Sequence, residues 1–298
     1  MDAVLITGAN GLLGSTLQDT FKYHRLITPL YCSKSDLDIT DTAQLEAYVT
    51  KHPVRYIINC AAYTDVQRAE QEVKACFEVN SIGAGNLATL SRKYNIPLIH
   101  ISTDYVFGTT LGCPLKPNDP TEPVNQYGHS KLAGEKLITE IAEQYYIIRT
   151  SWLYHECGDN FFTRIIESGK KNETIQVPDD QIGSPTYVRD LAEAIGEVLK
   201  KISDNHIAYC PPGIYHYTNE GVASWYDFAH AILRKIPTSS TLVPVSSSQT
   251  DHVKRPYYSV LDKSSFREVF LREIRHWGHS MHSCFERWHA YDYMKRYR

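Results

Sequence analysis

Val4-Leu5-Ile6-Thr7 is a short apolar run that ends at Gly8-Ala9-Asn10-Gly11-Leu12-Leu13-Gly14, after which Ser15 to Tyr23 reads as a helix. Strand, glycine turn and helix in immediate succession constrain this chain more than any other feature, because that is the context in which backbone cradles a dinucleotide. The spacing is Gly-x-x-Gly-x-x-Gly, not the general Gly-x-Gly-x-x-Gly. Gly8 is expected to make the tight turn, Gly11 to let backbone approach a pyrophosphate, and Gly14 to allow close helix packing. Phosphate charge would be met by the helix N-terminus. A merely structural glycine turn is the alternative, and the flanking elements favour nucleotide binding.

The alternation continues. A second strand, about Leu26 to Cys32, ends in Ser33-Lys34-Ser35 before Leu37-Asp38-Ile39-Thr40-Asp41. An acid at the end of this strand suits the ribose 2'-hydroxyl of NAD, whereas a cation accepts the 2'-phosphate of NADP. Lys34 therefore leans the cofactor toward NADPH, its alternative being a solvated surface lysine. Arg55 to Cys60 is a third strand, and Ala61 and Ala62 before Tyr63 permit close approach of a cofactor or ordinary tight packing. Ala69 to Tyr94 reads as long and mostly helical, with Phe77, Val79, Ile82, Leu87, Ala88 and Leu90 at near-helical spacing. Asn80 in its middle reads as a surface residue, or as one that binds water or backbone near a site. Pro97 to Ser102 is the next strand. Thr103 follows it, where ligands gather in an open parallel sheet, and suits a hydrogen bond to a substrate oxygen or to local backbone. Pro114, Pro117, Pro120 and Pro123 mark 109–124 as a loop, and Tyr145 to Thr150 is a further strand.

This repetition predicts an α/β fold: a doubly wound, Rossmann-like parallel sheet with helices on both faces and a smaller C-terminal substrate domain. Residues 1–152 are expected to bind the dinucleotide, with 186–219 returning to that domain, and 153–298 to be mainly a substrate domain. In this latter part Asn160 to Ser168, Asp190 to Ile202, Trp225 to Ile236 and Phe285 to Arg298 read as helices. Gln181 to Thr186 reads as a turn-rich link, and Gly213 to Thr218 as the last strand of the sheet.

The loop of 109–124 delivers the chain to Gln126-Tyr127-Gly128-His129-Ser130-Lys131-Leu132-Ala133-Gly134-Glu135, the start of a helix. Positions four apart share a helical face, so Tyr127 and Lys131 lie together. An ammonium beside a phenol favours phenolate and lowers a pKa that starts near ~10, which suits proton transfer. The spacing alone is weak evidence in a chain with 21 tyrosines, where it arises readily by chance.

Net charge is -3 and no basic block interrupts the chain, so neither nucleic acid nor an anionic membrane is expected as the main partner. No apolar run approaches the ~20 residues that span a bilayer. Met1-Asp2-Ala3 leads directly into the first strand, and seven cysteines, an odd number without a Cys-x-x-Cys pair, read as reduced thiols. A soluble cytoplasmic protein is expected, with a homodimer among the arrangements allowed. His276, His279, His282 and Cys284 lack an acid or paired thiol at ligand spacing, and no metal is expected there.

Taken together, the glycine turn, Thr103 and Tyr127-x-x-x-Lys131 resemble the extended short-chain dehydrogenase/reductase superfamily. GANGLLG, NCAAYTDV at 59–66, STDYVF at 102–107, YGHSKLAGE at 127–135, RTSWLY at 149–154, DQIGSPTYVRDLA at 180–192 and RPYYSVLD at 255–262 resemble, more narrowly, the dTDP-4-dehydrorhamnose reductase family. These motifs span nearly the whole chain in order. The resemblance implies a catalytic set of Thr103, Tyr127 and Lys131, with Asn80 as the family's helix asparagine. Asn10, Gly11, Leu12, Asp38, Ile39, Ala61, Ala62 and Tyr63 match cofactor contacts. Asp104, Tyr105, Trp152 and Arg255 match positions facing a nucleotide sugar, and the Arg255 guanidinium suits a diphosphate on chemical grounds as well. Trp152 is equally suited to pack against the sugar or to serve as a core indole.

The implied reaction is reduction of the C4 ketone of a dTDP-4-keto-6-deoxy sugar by NADPH, with NADH as a second choice, giving dTDP-L-rhamnose or a close relative. Sugar-nucleotide dehydratases follow the Thr-Asp pair with Glu, and here Tyr105 follows. Lys34 argues mildly against NAD-retaining epimerases. A noncatalytic NADP-binding regulatory subunit is the rival from another class, against which DQIGSPTYV and RPYYSVLD count. Three departures concern substrate: Gly108-Thr109 stands where Asp-Gly is usual, His155 where glycine is expected, and Leu12 where glutamine is frequent.

Overall fold

The computed structural model describes residues 2–22, 27–108, 112–171, 173–204, 210–250, 253–270 and 273–296. Tyr23, Leu26, Thr109 and Arg298, which bounded elements expected above, lie outside the described residues. The first five strands are β1 (Asp2–Thr7), β2 (Ile27–Cys32), β3 (Val54–Asn59), β4 (Leu98–Thr103) and β5 (Tyr145–Thr150). Short strands β6 (Leu153–Tyr154), β7 (Thr174–Pro178), β8 (Ile182–Gly183) and β9 (Thr186–Tyr187) follow, then β10 (Gly213–His216), β11 (Ala223–Ser224) and β12 (Thr241–Val245).

Six strands form one sheet in the order β2-β1-β3-β4-β5-β10, every neighbouring pair parallel. Parallel strands need crossovers, and the crossover helices cover both faces, so the strands are apolar on both sides. Val4 and Ile6 of β1, Ile58 of β3, Ile99 of β4 and Ile148 of β5 pack with Leu13, Leu17 and Phe21 of helix Leu12–Phe21. Leu191, Ile195 and Val198 of helix Val188–Ser203 complete that layer. The alternate residues Leu5, Ile57, Leu98 and Ile147 pack on the other face against Leu45, Val49, Leu87, Leu90 and Ile138. Each such side chain gains roughly 1.5–3 kcal/mol by leaving water. From β1 the chain goes outward to β2 and then back across to β3. The winding reverses between β1 and β3, and at such a switch point ligands sit beyond the strand C-termini.

A third apolar cluster gathers Tyr154 of β6 with Phe162, Ile166, Phe228, Cys284 and Phe285 from helices Phe161–Lys170, Trp225–Leu233 and Trp277–Arg296. Around it β7 pairs in parallel with β12, β8 antiparallel with β11, and β6 in parallel with β9. The turn-rich link of 181–186 thus contains two short strands, and the last helix begins at Trp277, eight positions before Phe285. Helix Thr42–Lys51, which carries no strong periodic pattern, starts where Asp41 accepts from the N–H groups of Ala43 and Gln44 at 3.0 Å each. Among the described residues, no helix is long and apolar enough to cross a membrane.

The stretch from Ala69 to Tyr94 is not one helix. Helix Val73–Phe77 passes into a π-helical segment, Glu78–Gly83, before helix Ala84–Tyr94. Asn80 is buried, between Cys76 and Ala84 at intervals of four, and Ile82 is 52% exposed, not part of the apolar stripe.

One buried ion pair ties helix Gln126–Ile141 to the sheet. Arg149 of β5 donates through Nη2 to Glu135 Oε2 at 2.7 Å and through Nε to Oε1 at 2.9 Å. Removing one partner of such a pair strands a charge. Glu135→Ala is expected to lose about 3–5 kcal/mol of stability, measured as the fall in the urea-unfolding free energy. The double variant Glu135→Leu, Arg149→Leu, which buries no lone charge, is expected to lose less.

Candidate active site at the C-terminal edge of the sheet

Asn125 begins the helix that carries Tyr127 and Lys131. Its side chain accepts from Gly128 N–H at 2.8 Å and donates to the Lys254 carbonyl at 2.9 Å, which also anchors the segment leading to Arg255. The helix lies backbone on backbone against its neighbours. A Cβ on Gly128 would stand 2.2 Å from the Tyr105 carbonyl oxygen, and one on Gly134 2.1 Å from that of Asn80. This approach sets the Tyr127 ring edge-on to Tyr105, with centroids 5.7 Å apart, and brings its hydroxyl to Thr103.

Lys131 is buried beneath, its Nζ donating to the Ile101 carbonyl at 2.7 Å and lying 3.2 Å from His100 Nε2. Burial lowers its pKa to about 8. The expectation that Lys131 lowers the Tyr127 pKa meets a different balance here. Tyr127 keeps a part-exposed edge on the cavity, yet the protein around its ring raises the phenol pKa. Desolvation outweighs the opposing hydrogen bond with Thr103, and Lys131 is turned to the β4 backbone.

Thr103, Asp104, Tyr105, Tyr127, Lys131, Trp152 and Arg255 all line one cavity of about 670 Å³, together with Leu12. Gly8, Asn10, Lys34, Asp38, Ile39, Ala61 and Tyr63 line a second, of about 780 Å³. Gly11, Cys60 and Ala62 belong to both walls, so the two form one cleft across the switch point. Gly14 is the exception among the expected contacts: it lies under the turn, where a Cβ would stand 2.2 Å from Gly8 O. Gly8 has φ +67°, and a Cβ there would meet Ala61 N at 2.6 Å. Gly11 N-caps helix Leu12–Phe21 without a side-chain cap, leaving helix N–H groups for an anion. These features fit a dinucleotide phosphate. Lys34 is exposed at the far end of the cleft, and Asp38 accepts from Thr40 N–H at 2.9 Å.

Asn80 is buried. Its Oδ1 accepts from Tyr63 N–H at 2.8 Å, and its Nδ2 donates to the Tyr63 carbonyl at 2.9 Å and to Ser130 Oγ at 2.9 Å. It clamps the backbone of the cleft wall to the Tyr127 helix.

Asp104 is 2% exposed and its carboxyl pKa is raised to about 7 by burial, against the opposing pull of Ser259, Thr103 and Arg255. Its Oδ1 accepts from Thr103 Oγ1 at 3.1 Å, and Oδ2 has no hydrogen-bond partner among the described residues. Arg255 Nη1 donates to Tyr105 OH at 3.2 Å. Trp152 holds φ at +50°, unusual for a side-chain-bearing residue, and its indole stacks on Trp225 with centroids 3.7 Å apart. Gly183 makes room for it, since a Cβ there would stand 2.7 Å from the indole. Trp152 thus both packs and faces the cavity.

Trp225, Arg164, Gln181 and Cys60 also line the cavity and were not singled out from sequence. Gln181 could have been found inside DQIGSPTYV; nothing in the spacing marks Trp225. Of the three departures, Leu12 does face the cavity. His155 turns away into a buried network, its Nδ1 accepting from Cys157 N–H at 3.1 Å and its Nε2 lying 3.3 Å from Glu156. Gly108 allows close passage of 122, where a Cβ would stand 2.6 Å from the Glu122 carbonyl oxygen. Of the histidine-rich stretch, Cys284 is in the core, His282 is exposed beside Glu286, and the rings of His276 and His279 have centroids 6.3 Å apart.

The family described as RmlD substrate binding domain matches residues 1–290. The spore coat polysaccharide biosynthesis protein SpsK of Bacillus subtilis (strain 168) is 36% identical over 94% of this chain and 96% of its own length. A dTDP-4-keto-6-deoxy-D-glucose reductase of Streptomyces niveus is 36% identical over 95% of this chain and 96% of its own. The crystal structure of dTDP-4-dehydrorhamnose reductase from Bacillus anthracis str. Ames in complex with NADP superposes with a TM-score of 0.88 at 36% identity, covering 96% of this chain and 99% of that one. A match of this extent means that the chain belongs to the RmlD substrate binding domain family, that of the dTDP-4-dehydrorhamnose reductases.

Proposed function

We propose that this chain is an NADPH-dependent oxidoreductase that reduces the C4 ketone of a dTDP-4-keto-6-deoxy sugar, converting dTDP-4-dehydro-L-rhamnose to dTDP-L-rhamnose. The observation that carries this reading is that the two cavities share Gly11, Cys60 and Ala62, and that Thr103, Tyr127 and Lys131 line one of them. A dinucleotide laid along one arm would end beside the proton donor in the other. NADP in the related reductase from Bacillus anthracis supports the choice of cofactor.

Gly8, Asn10, Gly11 and the helix N-terminus would hold the pyrophosphate, and Ala61 to Tyr63 would form the wall against the nicotinamide half. Lys34 would receive the 2'-phosphate, with Asp38 and Ile39 lining the adenosine end. When bound, the cofactor supplies hydride to the ketone carbon. Negative charge then develops on the C4 oxygen, where the Thr103 hydroxyl donates a hydrogen bond and Tyr127 transfers its phenolic proton. A raised phenol pKa keeps Tyr127 protonated in the resting state, which suits a donor. Lys131, which lines the same cavity, would hold the nicotinamide ribose and stabilise the tyrosinate as it forms. On the sugar side, the vacant Oδ2 of Asp104 suits a sugar hydroxyl, Trp152 offers an apolar face, and Arg255 matches the diphosphate.

Purified protein with NADPH and dTDP-4-dehydrorhamnose is expected to consume NADPH. Intact nucleotide binding without consumption would sink the reductase reading, whereas turnover of only another dTDP-4-keto sugar would correct the substrate. Tyr127→Phe is expected to lower kcat by about 10²–10⁴-fold with NADPH binding unchanged.

A raised acid also makes a stability statement. Folded Asp104 holds its proton up to about pH 7, while in the unfolded chain it releases it near ~3.9, so stability falls as pH rises through that window and then levels. Asp104→Asn is expected to flatten the loss of stability between about pH 5 and pH 8, read from urea unfolding at both ends.

A further inference from the structure

A row of polar side chains crosses the sheet just beneath the cleft. Thr7 of β1 stands opposite Asn59 of β3, and Asn59 opposite His100 of β4. Parallel register makes them neighbours on one face, and each is buried. Thr7 Oγ1 donates to Asn59 Oδ1 at 2.7 Å, and Ala61 N–H donates to the same oxygen at 3.1 Å. Asn59 Nδ2 lies 2.9 Å from His100 Nδ1, and His100 Nε2 lies 3.2 Å from Lys131 Nζ.

Hydrogen-bond valence places the protons in this row. A backbone N–H can only donate, so the amide atom that Ala61 meets is oxygen, and the atom facing His100 is the amide nitrogen, also a donor. His100 Nδ1 must therefore present a lone pair. Burial, and after it the neighbouring Lys131, push the imidazole pKa well below its ordinary value, so the ring is neutral and its one proton sits on Nε2. That proton points at Lys131 Nζ. Against an ammonium the contact is donor to donor; against an amine it is a hydrogen bond to a lone pair. The row thus favours the neutral lysine.

Of the other groups around Lys131, Glu135 first and then Cys60 and Cys76 favour the ammonium, but burial outweighs them. Glu135, one turn along the same helix, is engaged by Arg149 and Ser102. Cys60 beyond β3 and Cys76 of helix Val73–Phe77 are thiols whose pKa values burial raises, and Tyr127 on the same helix is raised likewise. Asp104 beyond β4 holds its proton toward neutral pH.

We propose that His100, locked as the Nε2–H tautomer by Asn59, is a positioning residue that makes Lys131 a proton-exchanging amine in place of a permanent cation. In the proposed reductase, which this inference takes as its setting, such a lysine gains and loses a proton within the working pH range.

The test begins with the unaltered protein. Long-range proton–nitrogen NMR of protein labelled with ¹⁵N-histidine, with His100→Phe identifying the signal, is expected to show Nε2 protonated and Nδ1 bare. Asn59→Asp, whose carboxylate only accepts, is expected to move that proton to Nδ1. In ¹⁵N-lysine-labelled protein, with the signal assigned by Lys131→Met, the Lys131 Nζ titration midpoint is expected to rise by about one pH unit, a tenfold gain in proton affinity, in His100→Phe. A His100 proton on Nδ1 in the unaltered protein, or a Lys131 midpoint unmoved in His100→Phe, overturns the proposal. If both signals behave as expected but no dTDP-4-keto sugar is reduced, the tautomer assignment stands and the reductase reading falls.

Discussion

The buried pair of Glu135 and Arg149 fixes the setting of everything at the site. Taking two charges out of water costs several kcal/mol for each, and only dense bonding offsets it. Here that bonding comes from three directions: Ser102 of β4 donates to Glu135, Arg149 reaches the Pro117 carbonyl at 3.1 Å, and its guanidinium lies over the Phe107 ring. Glu135 is four positions beyond Lys131 and eight beyond Tyr127, on one helical face. Anchoring 135 to β4 and β5 therefore aims 131 at the backbone of β4 and 127 at Thr103. Gly128 and Gly134 contribute the complementary condition, because no side chain would let the helix come close enough. The charge pair selects the rotation of the helix and the glycines permit its depth.

The same helix holds the second wall. Asn80 bonds both backbone groups of Tyr63 and the hydroxyl of Ser130, which in turn donates to the Tyr127 carbonyl at 2.7 Å. Asn80 stands four positions after buried Cys76 and four before buried Ala84, within the π-helical segment. It thus couples the loop expected to face a nicotinamide to the helix expected to supply the proton. One rigid body serves both arms of the cleft.

Much of the architecture was legible because its causes are local. The strand, glycine turn and helix at residues 2–21, and the alternation that followed, come from side-chain periodicity and from steric demands that only glycine meets at Gly8 and Gly14. Thr103, Tyr127, Lys131, Asp104, Tyr105, Trp152 and Arg255, which the resemblance singled out, line one cavity, and ordered motifs carry spatial information that spacing alone does not. What stayed hidden depends on long-range packing. Trp225 reaches the cavity only through its stack on Trp152, which needs the left-handed backbone at 152 and the bare backbone at Gly183. Asn80 read as a surface residue or as one that binds backbone near a site, and only the fold shows that its partner is the backbone of Tyr63. His155 drew attention as a change near the sugar, yet Glu156 and Cys157 draw its ring into a separate network. Thr7, Asn59 and His100 each look like an ordinary polar residue near a strand end. Only register shows that they stand side by side.

That row bears on how the site manages charge. Dry surroundings penalise ions of either sign, so they lower the Lys131 pKa to about 8 and raise that of Asp104 to about 7. Two groups that would be firmly charged in water are thereby brought to where each exchanges a proton easily, in the cavity that Tyr127 also lines. A tyrosine in that position is held protonated by the same desolvation, not made acidic by a fixed cation. On the proposed chemistry this ordering is useful. The phenol would keep its proton until an alkoxide, a far stronger base than water, forms within reach, and the charge left on the tyrosine would then strengthen the hold of Lys131 on its proton. With a pKa of about 8 that lysine is still mostly ammonium near neutral pH, yet it exchanges its proton far more readily than a lysine in water.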